Sequence, residues 1–321
     1  MRVFVTGAGG FIGSELTRQL VAGGHAVVGL TRSSQTAARL RTMRAEPLVG
    51  DVGDAAVIRR GVAGADAVAH LGIPRAGEKD LEEAAMTGKR GIQALLDACA
   101  GTSLRSFVHA SGALGIYRHG PGEWIDETTP EEPSPAMKER WSLDRVVRVA
   151  VQRSGLPATI LRPPIVYGVG SGFKEFFLDL ARRRLFRVVG DGSYYLNLVH
   201  VEDAAAAYRL ALERPSVGDT FLVVDDAPVP MREFADFFAK EMGRRRPGSV
   251  PPFLAKLVAG AGAVEALQDS VRLRNGKIRA RLGWAPRYPT YRDGIPGVVR
   301  AYLRAQAGGA TASSSASSPG P

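Results

Sequence analysis

Three glycines near the start of the chain, Gly7, Gly10 and Gly13, stand at a spacing suited to holding phosphate. The first N–H groups of a helix lack intrahelical partners, and the aligned peptide dipoles leave partial positive charge there, so a helix start attracts anions. In such a loop Gly7 permits the tight turn from strand to helix and Gly10 lets a pyrophosphate reach the backbone. Gly13 lets the helix pack closely on the strand, and Phe11 and Ile12 lie between them. Downstream, Thr31-Arg32-Ser33-Ser34 falls where the ribose of a bound dinucleotide would lie. A carboxylate at this point bonds a 2′-hydroxyl, whereas arginine accommodates a 2′-phosphate, so Arg32 with Ser33 points to NADP(H). Read as a loop arginine on the surface, Arg32 carries no such meaning. Asp51, followed by Val52, has two readings: a partner for the adenine amino group, or the N-cap of a helix from Ala55. Leu71-Gly72 ends a further apolar run at a point where backbone can approach the cofactor. His70, inside that run, reads as a core histidine, and Cys99, in the helical pattern of Ile92, Leu95 and Leu96, as core and not as a nucleophile.

Positioning these groups requires a particular series of elements. The apolar run Val3 to Val5 predicts a buried parallel strand, with a helix following from Ser14 to Ala22. Strands are expected over 26–30, 48–52, 67–72, 106–110, 158–161 and 220–224, with helical patterns between them at 55–60, 81–100, 136–152 and 204–212. Alternation of this kind with few hairpin signals predicts a doubly wound α/β fold around a parallel sheet. Residues 118–135, rich in Pro, Gly and acids, predict a surface loop. Beyond Gly168 the pattern changes: Phe173, Phe176, Phe177, Leu180 and Ala181 recur at helical spacing, and Gly190-Asp191-Gly192-Ser193 signals a turn before Tyr194 and Tyr195. Helices are expected over 231–242 and 254–267, with a basic, proline-containing linker at 243–251. Residues 307–321, almost entirely Gly, Ala, Ser, Thr and Pro, predict a disordered tail.

Composition narrows the function classes. The 321 residues are 45% hydrophobic and 23% charged, those of an ordinary globular protein. No run is long enough to span a bilayer, and Met1-Arg2 leads directly into a short strand without the apolar stretch of a signal peptide. A lone cysteine excludes an intrachain disulfide framework and suits a reducing cytoplasm. The formal net charge of +10 raises the possibility of nucleic acid as a partner. The basic residues are scattered, however, in short runs such as Arg182-Arg183-Arg184 and Arg244-Arg245-Arg246, with no nucleic-acid module around them. An arginine-rich solvated surface is therefore the expectation, with a small-molecule substrate, no nucleic acid, no membrane and no metal; a homodimer stays open.

Taken together, the motifs resemble the extended branch of the short-chain dehydrogenase/reductase superfamily, the NAD-dependent epimerase/dehydratase family. The resemblance covers about residues 1–300. It rests on the glycine fingerprint, Gly50-Asp51, Leu161-Arg162-Pro163-Pro164-Ile165-Val166-Tyr167-Gly168, Val199-His200-Val201-Glu202-Asp203 and Leu282-Gly283-Trp284-Ala285-Pro286. It implies a Rossmann domain over 1–167 to which 199–229 return, and a smaller C-terminal substrate lobe from 168–198 and 230–306. It also implies that Pro163 and Ile165 pass the nicotinamide end, with a catalytic Ser or Thr after the fifth strand and a Tyr-x-x-x-Lys pair on the next helix. In that pair tyrosine is the acid or base, and lysine lowers its pKa while holding the ribose.

Residue by residue the chain departs from that scheme. The Ser/Thr position falls on Gly112, with Ser111 one residue early; the tyrosine position falls on Ala136, the lysine position on Arg140 and a following acidic position on Asp144. Residues 136, 140 and 144 share a helix face. Lys138 is turned about 200° from Ala136 and points elsewhere. Reduction by hydride transfer tolerates this loss because the cofactor supplies the hydride. The forming alkoxide still needs a donor: Ser111, Tyr117, a water held by Arg140, or an acidic hydroxyl on the substrate. Ser111 and Arg140 are the catalytic candidates, with a ribose-contacting or structural role placed ahead of a chemical one for Arg140. The sequence thus predicts an NADPH-dependent, ketoreductase-like enzyme. Phe173, Phe176, Phe177, Tyr194 and Tyr195 suggest an aromatic or polyketide-like substrate, unless they serve as core. The alternatives are a nucleotide-sugar epimerase or dehydratase, and a non-catalytic NADP(H)-binding redox sensor.

Overall fold

A computed structural model of the chain describes residues 1–72, 81–117, 119–259 and 270–314. Seven parallel strands form its central sheet: β1 (Arg2–Thr6), β2 (Ala26–Thr31), β3 (Glu46–Val49), β4 (Ala67–His70), β5 (Ser106–Ala110), β6 (Ala158–Arg162) and β7 (Thr220–Leu222), in the order β7-β6-β5-β4-β1-β2-β3. The order reverses at β1, the point where an open α/β sheet leaves a crevice beyond its strand ends. Adjacent residues on β1 go to different cores. Val3 and Val5 pack with Leu16 and Leu20 of α1 (Phe11–Ala22) on one face, and Phe4 packs with Val28, Ile58 and Phe107 on the other. This period of two, apolar on both faces, is what a doubly covered parallel strand requires.

The remaining helices sort by face. α2 (Ser34–Thr42) and α6 (Val201–Glu213) join α1 through Leu40 and through Ala204, Ala207 and Tyr208. The other face takes α3 (Ala55–Val62) through Ile58, α4 (Leu81–Cys99) through Ile92 and Leu95, and α5 (Lys138–Ser154) through Leu143 and Val147. Cys99 belongs to this second core, and burial pushes its thiol up to about 12, which keeps it protonated and unreactive.

A separate core forms the lobe. It gathers Phe173, Phe177 and Phe186 with Phe234 and Phe238 of α7 (Met231–Glu241) and with Ile295, Val299 and Tyr302 of the last helix, Tyr291–Ser314. The chain between Ser171 and Arg182 is helical, and Lys174–Asp179 in its middle is π-wound. Leu198–His200 pairs in parallel with Ile165–Tyr167 beside the sheet, carrying the chain back to α6.

Several expectations are corrected. Phe173, Phe177 and Tyr194 are buried among other side chains, so the aromatic stripe is core and does not argue for an aromatic substrate; Phe176 is exposed. Ile278, Leu282 and Trp284, placed in the lobe by the sequence reading, pack against the sheet. The expected surface loop at 118–135 is tied down: Trp124–Ile125 pairs with Arg272–Leu273, and Ile125 is buried. The basic linker at 243–251 contains Ser249–Val250, which pairs with Val188–Val189. The final helix continues to Ser314, past the expected start of the tail at 307, because Ala307, Ala310 and Ala312 extend a helix already begun. Residues 260–267 of the expected 254–267 helix, and 315–321 of the tail, lie outside the described residues.

Candidate active site

Local packing makes the glycine loop obligatory. Gly7 has φ +70°, and a Cβ there would stand 2.8 Å from the Gly72 nitrogen; a Cβ on Gly13 would stand 2.0 Å from the Gly7 carbonyl oxygen. Gly10 is the N-cap of α1, and no side chain caps that helix, so its first turn offers bare backbone. The floor beneath is fixed by Thr6, whose hydroxyl oxygen accepts from the Gly72 N–H at 3.2 Å and lies 2.7 Å from His70 Nδ1. Burial, reinforced by the neighbouring His109, lowers the His70 pKa to about 3, so it is a neutral core histidine.

A cleft of about 290 Å³ opens over this loop, lined by Gly7, Gly10, Arg32, Ser33, Asp51 and Gly72 among others, with Val52 and Thr36 in its wall. It brings together half of the residues expected to meet the cofactor, whereas Phe11, Ile12, Gly13, Leu71, Arg140, Pro163 and Ile165 are not in its lining. Arg32 is 81% exposed, and its Nη1 lies 3.7 Å from Asp51 Oδ2. A pair so exposed is worth little, so the guanidinium stays available to an incoming anion. Asp54, and not Asp51, caps α3, accepting from the Ala56 and Val57 N–H groups; the N-cap reading of Asp51 is therefore wrong. Sequence reasoning missed Arg39, which reaches from α2 to donate to the Gly9 carbonyl. Thr36 lies against Gly9 as well, and the i, i+3 spacing of Thr36 and Arg39 on one helix face was the signal available.

At the carboxyl ends of β5 and β6 lies a buried charged network. Arg162 donates twice to Asp144 Oδ2, at 2.6 and 3.0 Å, and its Nη1 donates to the Tyr117 oxygen and to Glu131 Oε1, each at 2.9 Å. The Ser111 hydroxyl donates to Asp144 Oδ2 at 2.9 Å. His109 Nε2 lies 3.4 Å from Asp144 Oδ1 without closing a hydrogen bond, so Oδ1 has no partner. Burial opposes charge on Asp144, but His109 and Arg162 outweigh it and hold the carboxyl at about 2. Glu131 is likewise opposed by burial and held at about 2 by Arg148 and Arg162. Burial pushes the Tyr117 hydroxyl up. Sequence reading named Tyr117, Asp144 and Arg162 as motif positions and did not foresee that they would meet. Arginine closing an apolar strand, and histidine inside one, were the available hints.

Arg140 sits at the edge of this network. Its Nη2 donates to the Ser111 carbonyl at 2.9 Å, and its guanidinium covers the open face of Gly112, where an added Cβ would meet it at 3.4 Å. Its Nε is covered and has no partner. Lys138 is exposed, as its helix phase predicts, while Arg140 is half-buried and Asp144 fully buried. Position 136 lies in the 3-10 turn Pro135–Met137 that leads into α5. Pro163 gives its carbonyl to the Ala113 N–H, the Ile165 N–H donates to the Asn197 carbonyl, and the Phe11 ring lies against Gly168 and Gly170. The loop after β6 is thereby locked to both the β5 end and the lobe.

Comparison with known proteins places this architecture. A family model described as the NAD dependent epimerase/dehydratase family matches residues 3–224. An uncharacterised protein of Schizosaccharomyces pombe is 34% identical, the match covering 90% of this chain and 96% of that one. A 4-hydroxy-2-methyl-3-oxo-4-farnesyl-3,4-dihydroquinoline-1-oxide ketoreductase of Stigmatella aurantiaca is 26% identical, covering 94% and 96%. Among solved structures, a dTDP-glucose 4,6-dehydratase from Streptomyces venezuelae with NAD bound superimposes with a TM-score of 0.80 at 24% identity, over 95% of this chain and 97% of that one.

Proposed function

The chain belongs to the NAD-dependent epimerase/dehydratase family, and from that premise we propose that it is an NADPH-dependent reductase of a carbonyl group on a small organic substrate. The observation carrying this reading is that Ser111 and Tyr117 are tied into the buried network, while Arg140, half-buried at its edge, gives only its Nη2 to a hydrogen bond among the described residues. A site built in this way suits stabilising negative charge on oxygen better than supplying the general base that epimerisation and dehydration demand. The ketoreductase name of the Stigmatella relative agrees with reduction.

The residues present fit a phosphorylated dinucleotide. The Gly7, Gly10, Phe11, Ile12 and Gly13 backbone would take the pyrophosphate; Arg32, Ser33 and Arg39 would take the 2′-phosphate; Asp51 and Val52 would border the adenine. Leu71, Gly72, Pro163 and Ile165 would border the nicotinamide half. A bound NADPH supplies the hydride. Arg140, kept charged at any working pH, orients the carbonyl oxygen and stabilises the developing alkoxide, but it cannot serve as the base or yield the proton. Ser111 holds Asp144 and the β5 end in place. The proton that completes the alcohol comes from water or from an acidic hydroxyl of the substrate.

Monitoring NADPH consumption with a panel of ketones, aldehydes and quinones tests the proposal. Turnover is expected, falling roughly 10²–10³-fold in kcat for Arg140→Gln with NADPH affinity changed far less. One observation favours a second reading, a cofactor-binding redox sensor: the Ser111 hydroxyl donates to Asp144, and the Tyr117 hydroxyl, which accepts from Arg162, is buried. Tight NADPH binding with no turnover over the whole panel would select that reading.

A further inference from the structure

The two arginine runs noted in the sequence, 182–184 and 244–246, lie about 60 residues apart in the chain and meet in space. They border a cavity of about 620 Å³ in the lobe that shares no residue with the glycine-loop cleft. Its lining contains Arg184, Arg187, Arg244, Arg245 and Arg246 and no acidic residue. We propose that this cavity is a second, separate ligand site, for a small organic anion carrying two or more phosphate groups.

Crowding guanidinium groups is unfavourable unless something holds them, and here the backbone does. Arg244 donates to the carbonyls of Ala181 and Arg182 across the cavity, at 3.3 and 3.2 Å. Arg187 donates to the carbonyls of Arg184 and Phe186. Those bonds fix the cations without neutralising them. Arg246 has an acid, Asp236, 3.1 Å away. The side chains of Arg184 and Arg245 have no charged or hydrogen-bonded partner among the described residues. The cavity therefore holds prepositioned, uncompensated cations with planar donor forks, the groups that match phosphate oxygens in pairs. Its size lies in the range of small-molecule pockets, and Ala181, Phe186, Ala239 and Pro247 give it an apolar part for the organic portion of the ligand. A flat polyelectrolyte surface for nucleic acid would need neither the concavity nor the apolar wall. Arg184 also takes a left-handed backbone, φ +63°, that arginine rarely adopts.

The test titrates the whole chain, in excess NADP+ so that the glycine cleft is filled, with ATP and with inorganic tripolyphosphate, followed by calorimetry. One saturable site per chain is expected, tripolyphosphate displacing ATP. The double variant Arg184→Gly, Arg245→Ala should weaken both ligands at least tenfold while leaving NADP+ affinity and the melting temperature as in the wild type; glycine suits the left-handed backbone at 184. Arg245→Glu alone gives the same readout should the double variant fold poorly. Wild-type binding that does not saturate at millimolar ligand overturns the proposal, as does equal affinity in wild type and variants. Stoichiometric coating of a single-stranded oligonucleotide through these same arginines, with no saturable ATP binding, overturns it too.

Discussion

At the scale of single residues, the two ends of the cofactor cleft differ in how a side chain acts. Arg32 is nearly free in solvent and Arg39 is anchored to the Gly9 carbonyl, so the first contributes charge and the second also shapes the loop. We expect Arg32→Ala to erase most of a preference for NADPH over NADH, read as the ratio of the two dissociation constants. Arg39→Ala should weaken both cofactors, because it loosens the rim they share; equal NADPH and NADH affinity in the wild type would remove the 2′-phosphate argument. Arg162 and Asp144 behave differently, since both side chains are fully buried. Removing one partner strands the other charge, so Arg162→Met should cost about 3–5 kcal/mol in chemical denaturation, whereas an exposed pair such as Arg2 and Glu46 should cost under about 1 kcal/mol.

At the scale of elements, α1 depends on one contact between helix and loop. A methyl group on Gly13 collides with the Gly7 carbonyl, which is backbone and cannot swing away. Gly13→Ala is therefore expected to abolish cofactor binding, measured by fluorescence of bound NADPH, even where circular dichroism still shows a folded sheet. Helix α5 teaches a complementary point. Its pitch sets Arg140 and Asp144 one turn apart, so the same face delivers a half-buried cation to the site edge and a buried carboxylate to the network beneath. The spacing was readable in the sequence. That Asp144 would meet Arg162 from β6 and Ser111 from the end of β5 was not, because those partners come from elements separated by long stretches of chain.

At the scale of the whole molecule, the seam between sheet domain and lobe holds a buried acid. Asp225, just past β7, has one carboxylate oxygen accepting from the Ala227 N–H and the other unpartnered, and burial pushes its pKa up to about 8, with Asp226, Asp203 and Asp293 adding to the effect. In the folded protein it is protonated at neutral pH; unfolded, it ionises near 4. The folded form thus binds the extra proton between about pH 4 and pH 8, and stability attributable to this group falls as pH rises through that window. Asp225→Asn should flatten the decline, so that the difference in unfolding free energy between variant and wild type grows from pH 5 to pH 8 by roughly 3–5 kcal/mol. A difference that stays constant with pH would show that Asp225 is ionised in the folded state.

What the sequence determined by itself was local and periodic. Runs of β-branched residues ending in glycine fixed the strands and the phosphate loop, since turn chemistry and alternation act over a few residues. Arg32 at the end of β2 and the shared face of residues 140 and 144 were legible for the same reason. Tertiary structure alone decided the rest: that the aromatic stripe is core, that Asp54 and not Asp51 caps α3, that Ser111 and Tyr117 are engaged in a network around Arg162, and that two distant arginine runs border one cavity. Each of those outcomes turns on which faces are brought together over tens of residues, and no local pattern encodes the distance between two side chains that only folding makes neighbours.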